Sequence, residues 1–174
     1  MTSSKFTHMH FRFLFTAAFL LVACLYTYAQ SVLPEYGQLT KEEIEMKECS
    51  FDREAEAVII FDDAETDYDD DYRMITKRRI RIKILNEKGI ARANVVIPFY
   101  SGDDFETIRN VQAVTYAIDA SGSYKVIDLE RKSVYTEKRD KYYSFIKFAM
   151  PAVKAGCIIE YRYESIIKYY RSYF

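Results

Sequence analysis

The stretch that decides the fold is Arg78–Phe99, which reads RRIRIKILNEKGIARANVVIPF. In its first half, isoleucines alternate with basic residues. Successive side chains of a β-strand point to opposite faces, so this alternation predicts a strand with one apolar face and one cationic face. The cationic face carries Arg79, Arg81 and Lys83.

The second half of the same stretch predicts a partner for this strand. Asn86 can begin a turn, and Gly89 can adopt the positive φ that closes a four-residue hairpin loop. The segment Ile90–Phe99 then places alternate apolar residues on one side. Pro98 has no N–H for a ladder and therefore marks the end of that arm or a sheet edge. The sequence predicts a central β-hairpin.

The rest of the chain predicts further antiparallel strands and one short helix. Thr40 and Glu43 have the spacing of a capping box and predict a helix over about Lys41–Lys47. The segments with strand character are Ala55–Phe61, Val111–Ile118, Tyr124–Asp128, Ser133–Glu137, Tyr143–Met150 and Cys157–Glu164. The expected fold class is all-β, an antiparallel sandwich or a partly open barrel with one short N-terminal helix.

Two charged features each have a structural and a functional interpretation. Asp62–Asp71 contains seven carboxylates in ten residues and is expected to be a solvated loop; a calcium loop is the alternative, although the ligand order of an EF-hand is missing. The basic face of Arg79, Arg81 and Lys83 is expected to be solvated, and binding of an anionic ligand such as a glycan is its alternative.

The N-terminus predicts export. Lys5 and Arg12 precede the apolar run Phe13–Tyr26, and cleavage after Ala29 would remove residues 1–29 as a signal peptide. The alternative is a lipobox, in which Cys24 is lipidated. Either way the protein is expected to be periplasmic, associated with the outer membrane or secreted.

The composition of residues 30–174 limits the possible chemistry. Both histidines lie in the signal peptide, so a histidine-dependent nucleophilic site or zinc site cannot be assembled from the remainder. The 23 basic and 26 acidic residues give a net charge of −3, which provides no field for nucleic acid. Cys49 and Cys157 are expected to be free thiols. The sequence predicts no catalytic residues, no metal site and no cofactor.

Three segments together resemble a known family: Pro34–Ala57, Ile82–Gly89 and Lys147–Tyr161. The chain resembles the bacterial domain of unknown function that stands N-terminal to transglutaminase-like cores in exported proteins. The resemblance implies an all-β accessory domain without catalytic activity. In such proteins the catalytic cysteine, histidine and aspartate follow this region, and no segment of this chain resembles that core.

Two function classes stay open at this point. The first is a non-catalytic accessory or interaction domain that packs against a downstream transglutaminase-like core or presents substrate to it. The second is a free-standing secreted or lipid-anchored β-module that binds a glycan or a cell-surface protein. An enzymatic function of the chain itself would need a serine–lysine or paired-carboxylate site, and no motif of that kind is present.

The last residues predict that the fold continues. Ile166–Phe174 is apolar and aromatic, as in a β-strand, and contains no turn or polar tail. Because an open sheet edge of this kind recruits other chains, residues 30–174 are expected to be an incomplete domain, truncated at its C-terminal end.

Overall fold

A computed structural model describes residues 33–168 of the chain. The chain divides into two compact units, Met1–Tyr36 and Gly37–Phe174, and only residues 33–36 of the first unit are described. The signal peptide, the lipidation alternative at Cys24 and the end of the apolar tail therefore lie outside the described residues. Within residues 33–168, no helix is long and apolar enough to cross a membrane.

The described part of the second unit contains one short α-helix and eight strands. Helix α1 spans Lys41–Glu45. The strands are β1 Ala57–Tyr68, β2 Met74–Ile84, β3 Asn94–Tyr100, β4 Glu106–Ile118, β5 Tyr124–Asp128, β6 Tyr135–Lys138, β7 Tyr143–Ala149 and β8 Ile158–Ile167.

The strands form two antiparallel sheets, which confirms the all-β prediction. The five-stranded sheet has the order β1-β2-β8-β4-β5, and the three-stranded sheet has the order β3-β7-β6. Both sheets contribute to one hydrophobic core. Its central members are Ile80, Ile82, Ile84, Val95, Ile97, Ile146, Phe148 and Ile159. The isoleucines of β2 thus occupy the buried face that their alternation predicts.

The prediction of a central hairpin is wrong. Strands β2 and β3 belong to different sheets, and a 3-10 helix over Glu87–Ala93 carries the chain from one sheet to the other. Gly89 is needed for close packing and not for a positive φ, because a Cβ at this position would lie 2.2 Å from the carbonyl oxygen of Glu56. Asn86 does begin the turn, and Pro98 does lie on an edge strand.

Most of the acidic run is not a loop, and only Asp69–Asp71 lie in the turn between β1 and β2. Strand β1 continues through it to Tyr68 and pairs with the basic end of β2. The carboxylate of Asp62 accepts hydrogen bonds from Nε and Nη2 of Arg78 at 2.8 and 2.6 Å. Cross-strand pairing of opposite charges explains why these residues adopt strand structure despite their charge. Residues 33–168 contain no group of three or more His, Cys, Asp or Glu side chains placed to hold a metal ion.

Other local predictions agree with the structure. Strands β4 and β5 form the second predicted hairpin, and Gly122 in its turn has a φ of +82°. Thr40 and Glu43 form both hydrogen bonds of the capping box. The helix that they begin ends at Glu45, two residues earlier than expected.

Candidate functional site

The basic face of β2 does not lie in solvent. Arg81 is completely buried, Lys83 is almost completely buried, and only Arg79 remains partly exposed. The expectation of a solvated basic face is therefore wrong. The physical reason is that α1 and the residues around it cover this face and supply groups that compensate its charge.

Arg81 joins two buried carboxylates. Its Nη1 donates to both carboxylate oxygens of Glu43, each at 2.8 Å, and its Nη2 donates to Oε2 of Glu160 at 2.9 Å. The second carboxylate also accepts a hydrogen bond from Nε of Arg79 and another from the hydroxyl of Tyr116. Glu160 thus accepts hydrogen bonds from three side chains in a place that water does not reach.

Two further contacts fasten the N-terminal segment to the sheet. The backbone N–H of Gly37 donates to the hydroxyl of Tyr116 at 3.0 Å. Nζ of Lys83 donates to the carbonyl oxygens of Glu43 and Ile44, at 3.2 and 3.1 Å. A cation at the carbonyl end of a helix is favoured by the partial negative charge there. We call the six side chains that make these contacts the polar cluster: Glu43, Arg79, Arg81, Lys83, Tyr116 and Glu160.

Burial shapes the protonation of the polar cluster. Burial, reinforced by the hydrogen bond to Glu160 and by the charge of that carboxylate, raises the pKa of Tyr116. Burial lowers the pKa of Lys83, against the attraction of nearby anionic groups. Burial alone would lower the pKa of Arg81 as well, but its hydrogen bonds and ion pairs with the two carboxylates raise it. These directions keep Tyr116 neutral and Arg81 charged at neutral pH.

The geometry of the polar cluster suits a structural role. Both carboxylates are occupied by guanidinium groups, and the tyrosine is held neutral. A general base needs an accessible proton acceptor, and a nucleophile needs a neighbouring base. The cluster instead connects α1 and Gly37 to three adjacent strands, β2, β8 and β4.

Sequence reasoning found three members of the polar cluster and missed the other three. Glu43 was assigned only to the capping box, and Tyr116 and Glu160 only to strand alternation. One available signal was Glu160 itself, because it follows Ile158 and Ile159 at the start of an apolar strand. A carboxylate in such a position needs a buried cationic partner, and the neighbouring arginines of β2 could have been proposed.

A groove of about 450 Å³ lies next to the polar cluster on the same sheet. Arg79 reaches it, so Arg79 is the one residue of the predicted anion-binding trio that lines the groove. The groove carries both signs of charge; its lining residues are Asp63, Glu65, Lys77, Arg78, Arg79, Asn110, Gln112, Arg162, Tyr163 and Glu164. The side-chain oxygen of Gln112 accepts two hydrogen bonds from Arg162, at 3.0 and 2.7 Å. These two N–H groups of Arg162 are therefore already used within the groove.

The two described cysteines are free and buried, in agreement with the prediction of free thiols. Burial raises the pKa of the Cys157 thiol. The thiolate is the nucleophilic form of cysteine, so a raised pKa makes Cys157 a poor nucleophile at neutral pH.

The chain matches the sequence pattern of a protein family and is similar in fold to a solved structure. The family is described as a domain of unknown function with a solved structure (DUF3857), and its sequence pattern matches residues 70–171. The solved structure is a "putative protease" from Parabacteroides distasonis, with a TM-score of 0.54 and 12% sequence identity. The similarity covers 66% of this chain and 24% of that protein, so this chain spans about a quarter of its length. No curated protein matches the chain.

Proposed function

The chain belongs to the DUF3857 family of domains of unknown function, and from this premise we propose that it is a non-catalytic accessory or interaction domain of an exported transglutaminase-like protein. In this proposal the domain packs against a downstream catalytic core or presents substrate to it. The core lies in the same polypeptide and is the domain's principal partner.

The observation that carries the proposal is the share of the solved protein that the similarity occupies. The common fold accounts for 24% of the length of a protein that is described as a protease. Most of that protein therefore lies outside the fold that the two share, which leaves room there for a catalytic core. The low sequence identity restricts the likeness itself to the fold, and the role in this chain is our inference.

Two features of the described residues and one of the sequence support a non-catalytic role. The polar cluster uses its carboxylates to hold arginines, and Cys157 is buried with a raised pKa. The chain has no histidine after residue 29. The transglutaminase-like nature of the core is supported by the resemblance of Pro34–Ala57, Ile82–Gly89 and Lys147–Tyr161 to the N-terminal domains of such proteins.

Exposed tyrosines favour a second candidate function. Tyr68, Tyr72 and Tyr135 each expose more than half of their surface. Tyrosine presents a large rigid surface with a polar tip and is common in binding surfaces. The second candidate is a free-standing secreted or lipid-anchored module that binds a glycan or a cell-surface protein through such residues.

The reading frame after Phe174 tests the choice between these functions. We expect the frame to continue and to encode a cysteine, a histidine and an aspartate in the order of a transglutaminase-like core. Sequencing of the gene from its source organism measures this directly. A stop codon immediately after Phe174 would refute the accessory role and favour the free-standing module.

A further inference from the structure

Four aromatic side chains form one cluster at an end of the three-stranded sheet. We call it the aromatic surface; its members are Tyr100, Phe105, Tyr142 and Tyr143. The Tyr100 ring stacks on Tyr142, with ring centroids 6.0 Å apart and planes at 14°. It meets Phe105 and Tyr143 edge to face, with centroids at 5.9 and 5.4 Å. Tyr142 and Tyr143 are each 45% exposed, so the cluster is open to contact.

Backbone hydrogen bonds fix the aromatic surface in place. The carbonyl oxygen of Tyr142 accepts from the N–H groups of Ser101 and Gly102, at 2.7 and 3.0 Å. The carboxylate of Asp140 accepts from the N–H groups of Tyr142 and Tyr143, at 2.8 and 2.9 Å. A surface that is already ordered loses little conformational entropy when a partner binds.

Gly102 shows how closely this region is packed. A Cβ at Gly102 would lie 3.0 Å from two ring carbons and the hydroxyl oxygen of Tyr100. A larger residue at this position would require the Tyr100 side chain to shift by a few tenths of an ångström. Gly102 therefore lets the Tyr100 ring, on which the other three rings pack, lie directly against the loop backbone.

The described part of the chain ends at the same place. The N–H of Lys168, the last described residue, donates to the carbonyl oxygen of Phe105 at 2.9 Å. A cavity of about 590 Å³ opens there, and Tyr100, Gly102, Asp103, Phe105 and Lys168 line it. Polypeptide that follows Lys168 consequently starts beside the aromatic surface.

We infer that the aromatic surface is the docking site for the catalytic core that follows in the same polypeptide, an inference that rests on the proposed function. A domain tethered beside a surface has a high effective concentration there, of the order of millimolar for a short linker. Aromatic side chains are enriched at the centres of protein interfaces, and a polar rim surrounds them. Lys141 supplies a polar group at the edge of the aromatic surface, because its Nζ lies 4.5 Å from the centroid of the Tyr142 ring.

The occupant is a polypeptide rather than a free glycan because of the tether. A glycan would have to reach the cavity from solution, whereas a domain that follows Lys168 in the same polypeptide is held near the cavity by the chain itself. A second copy of the protein lacks this advantage and would bind only as its concentration rises.

Nitration of tyrosines by tetranitromethane in the natural protein, followed by peptide mass spectrometry, tests the inference. Tyr135 is the internal reference, since it lies on the same sheet, outside the cluster, and is 56% exposed. We expect Tyr142 and Tyr143 to react about tenfold more slowly than Tyr135, although their exposure in this domain is similar; a tenfold ratio corresponds to about 1.4 kcal/mol.

A matched pair of variants supplies a second measurement. The double substitution Tyr142→Ser and Tyr143→Ser is made in the full-length protein, and unfolding is followed by scanning calorimetry. We expect this domain and the core to unfold at temperatures that lie further apart than in the unchanged protein. The control variant Tyr135→Ser is expected to leave the two transitions as they are in the unchanged protein.

Each other outcome has a definite meaning. If the natural protein continues past Phe174 and its Tyr142 and Tyr143 react as fast as Tyr135, the inference is wrong and the proposed function stands. Protection that disappears on dilution would assign the surface to a second copy and overturn the inference. A natural protein that ends at Phe174 would overturn the proposed function together with the inference.

Discussion

Glu160→Gln is expected to destabilise the protein by about 3–5 kcal/mol, the usual loss when one partner of a buried ion pair is removed. The side chain is fully buried and accepts hydrogen bonds from Arg79, Arg81 and Tyr116. Glutamine keeps the size of the side chain but removes the charge. Its amide also replaces one acceptor oxygen by a donor, which must then face a guanidinium group or the tyrosine hydroxyl.

Urea denaturation of the two proteins measures this loss as a change in the unfolding midpoint. The matched control is Glu137→Gln, because Glu137 pairs with Lys147 at 2.8 Å on the surface. A surface pair contributes about 0–1 kcal/mol, so the control variant is expected to unfold close to the unchanged protein. Equal midpoints for the Glu160 and Glu137 variants would show that the polar cluster does not hold the domain together.

Gly89→Ala is expected to cost about 3 kcal/mol or more, at the upper end of the range for overpacked positions. A methyl group at this position would lie 2.2 Å from the carbonyl oxygen of Glu56 and 2.9 Å from its carbon. That oxygen also accepts hydrogen bonds from the N–H groups of Leu85 and Asn86, at 3.0 and 3.4 Å. Backbone must therefore move to admit the methyl group, and these hydrogen bonds would be strained or lost.

The neighbouring Lys88→Ala substitution serves as the control for this turn. Lys88 is exposed in the same 3-10 helix, and exposed substitutions usually change stability by less than about 0.5 kcal/mol. Thermal unfolding followed by circular dichroism compares both variants with the unchanged protein. If Gly89→Ala and Lys88→Ala had the same melting temperature, that result would contradict the close approach of the Gly89 and Glu56 backbones.

The alternation in β2 predicted a buried face correctly and its opposite face incorrectly. Ile80, Ile82 and Ile84 are buried because any packing partner removes apolar side chains from water. The burial of Arg81 instead depends on a specific partner, Glu43, which is 38 residues away in the sequence. The local sequence around β2 contains no information about such a distant pairing. The alternation therefore predicted that the basic residues of β2 are solvated.

The sequence did not predict that the chain crosses from one sheet to the other after β2, for a related reason. Asn86 and Gly89 have the residue types of a hairpin loop, and the local pattern fits one. The deciding contact is with the backbone of Glu56, which precedes β1. A glycine that is required for close approach and a glycine that is required for a positive φ are the same in sequence, and only the tertiary structure separates them.

We proposed that this chain is an exported accessory part of a longer protein, and the intact mass of the natural protein tests both parts of that proposal at once. We expect a species that begins at Gln30 and whose mass exceeds that of residues 30–174. An acylated N-terminus at Cys24 would keep the accessory role and replace the signal peptide by a lipid anchor. A mature species that retains Met1 would rule out export by this signal peptide, and one that ends at Phe174 would rule out the accessory role.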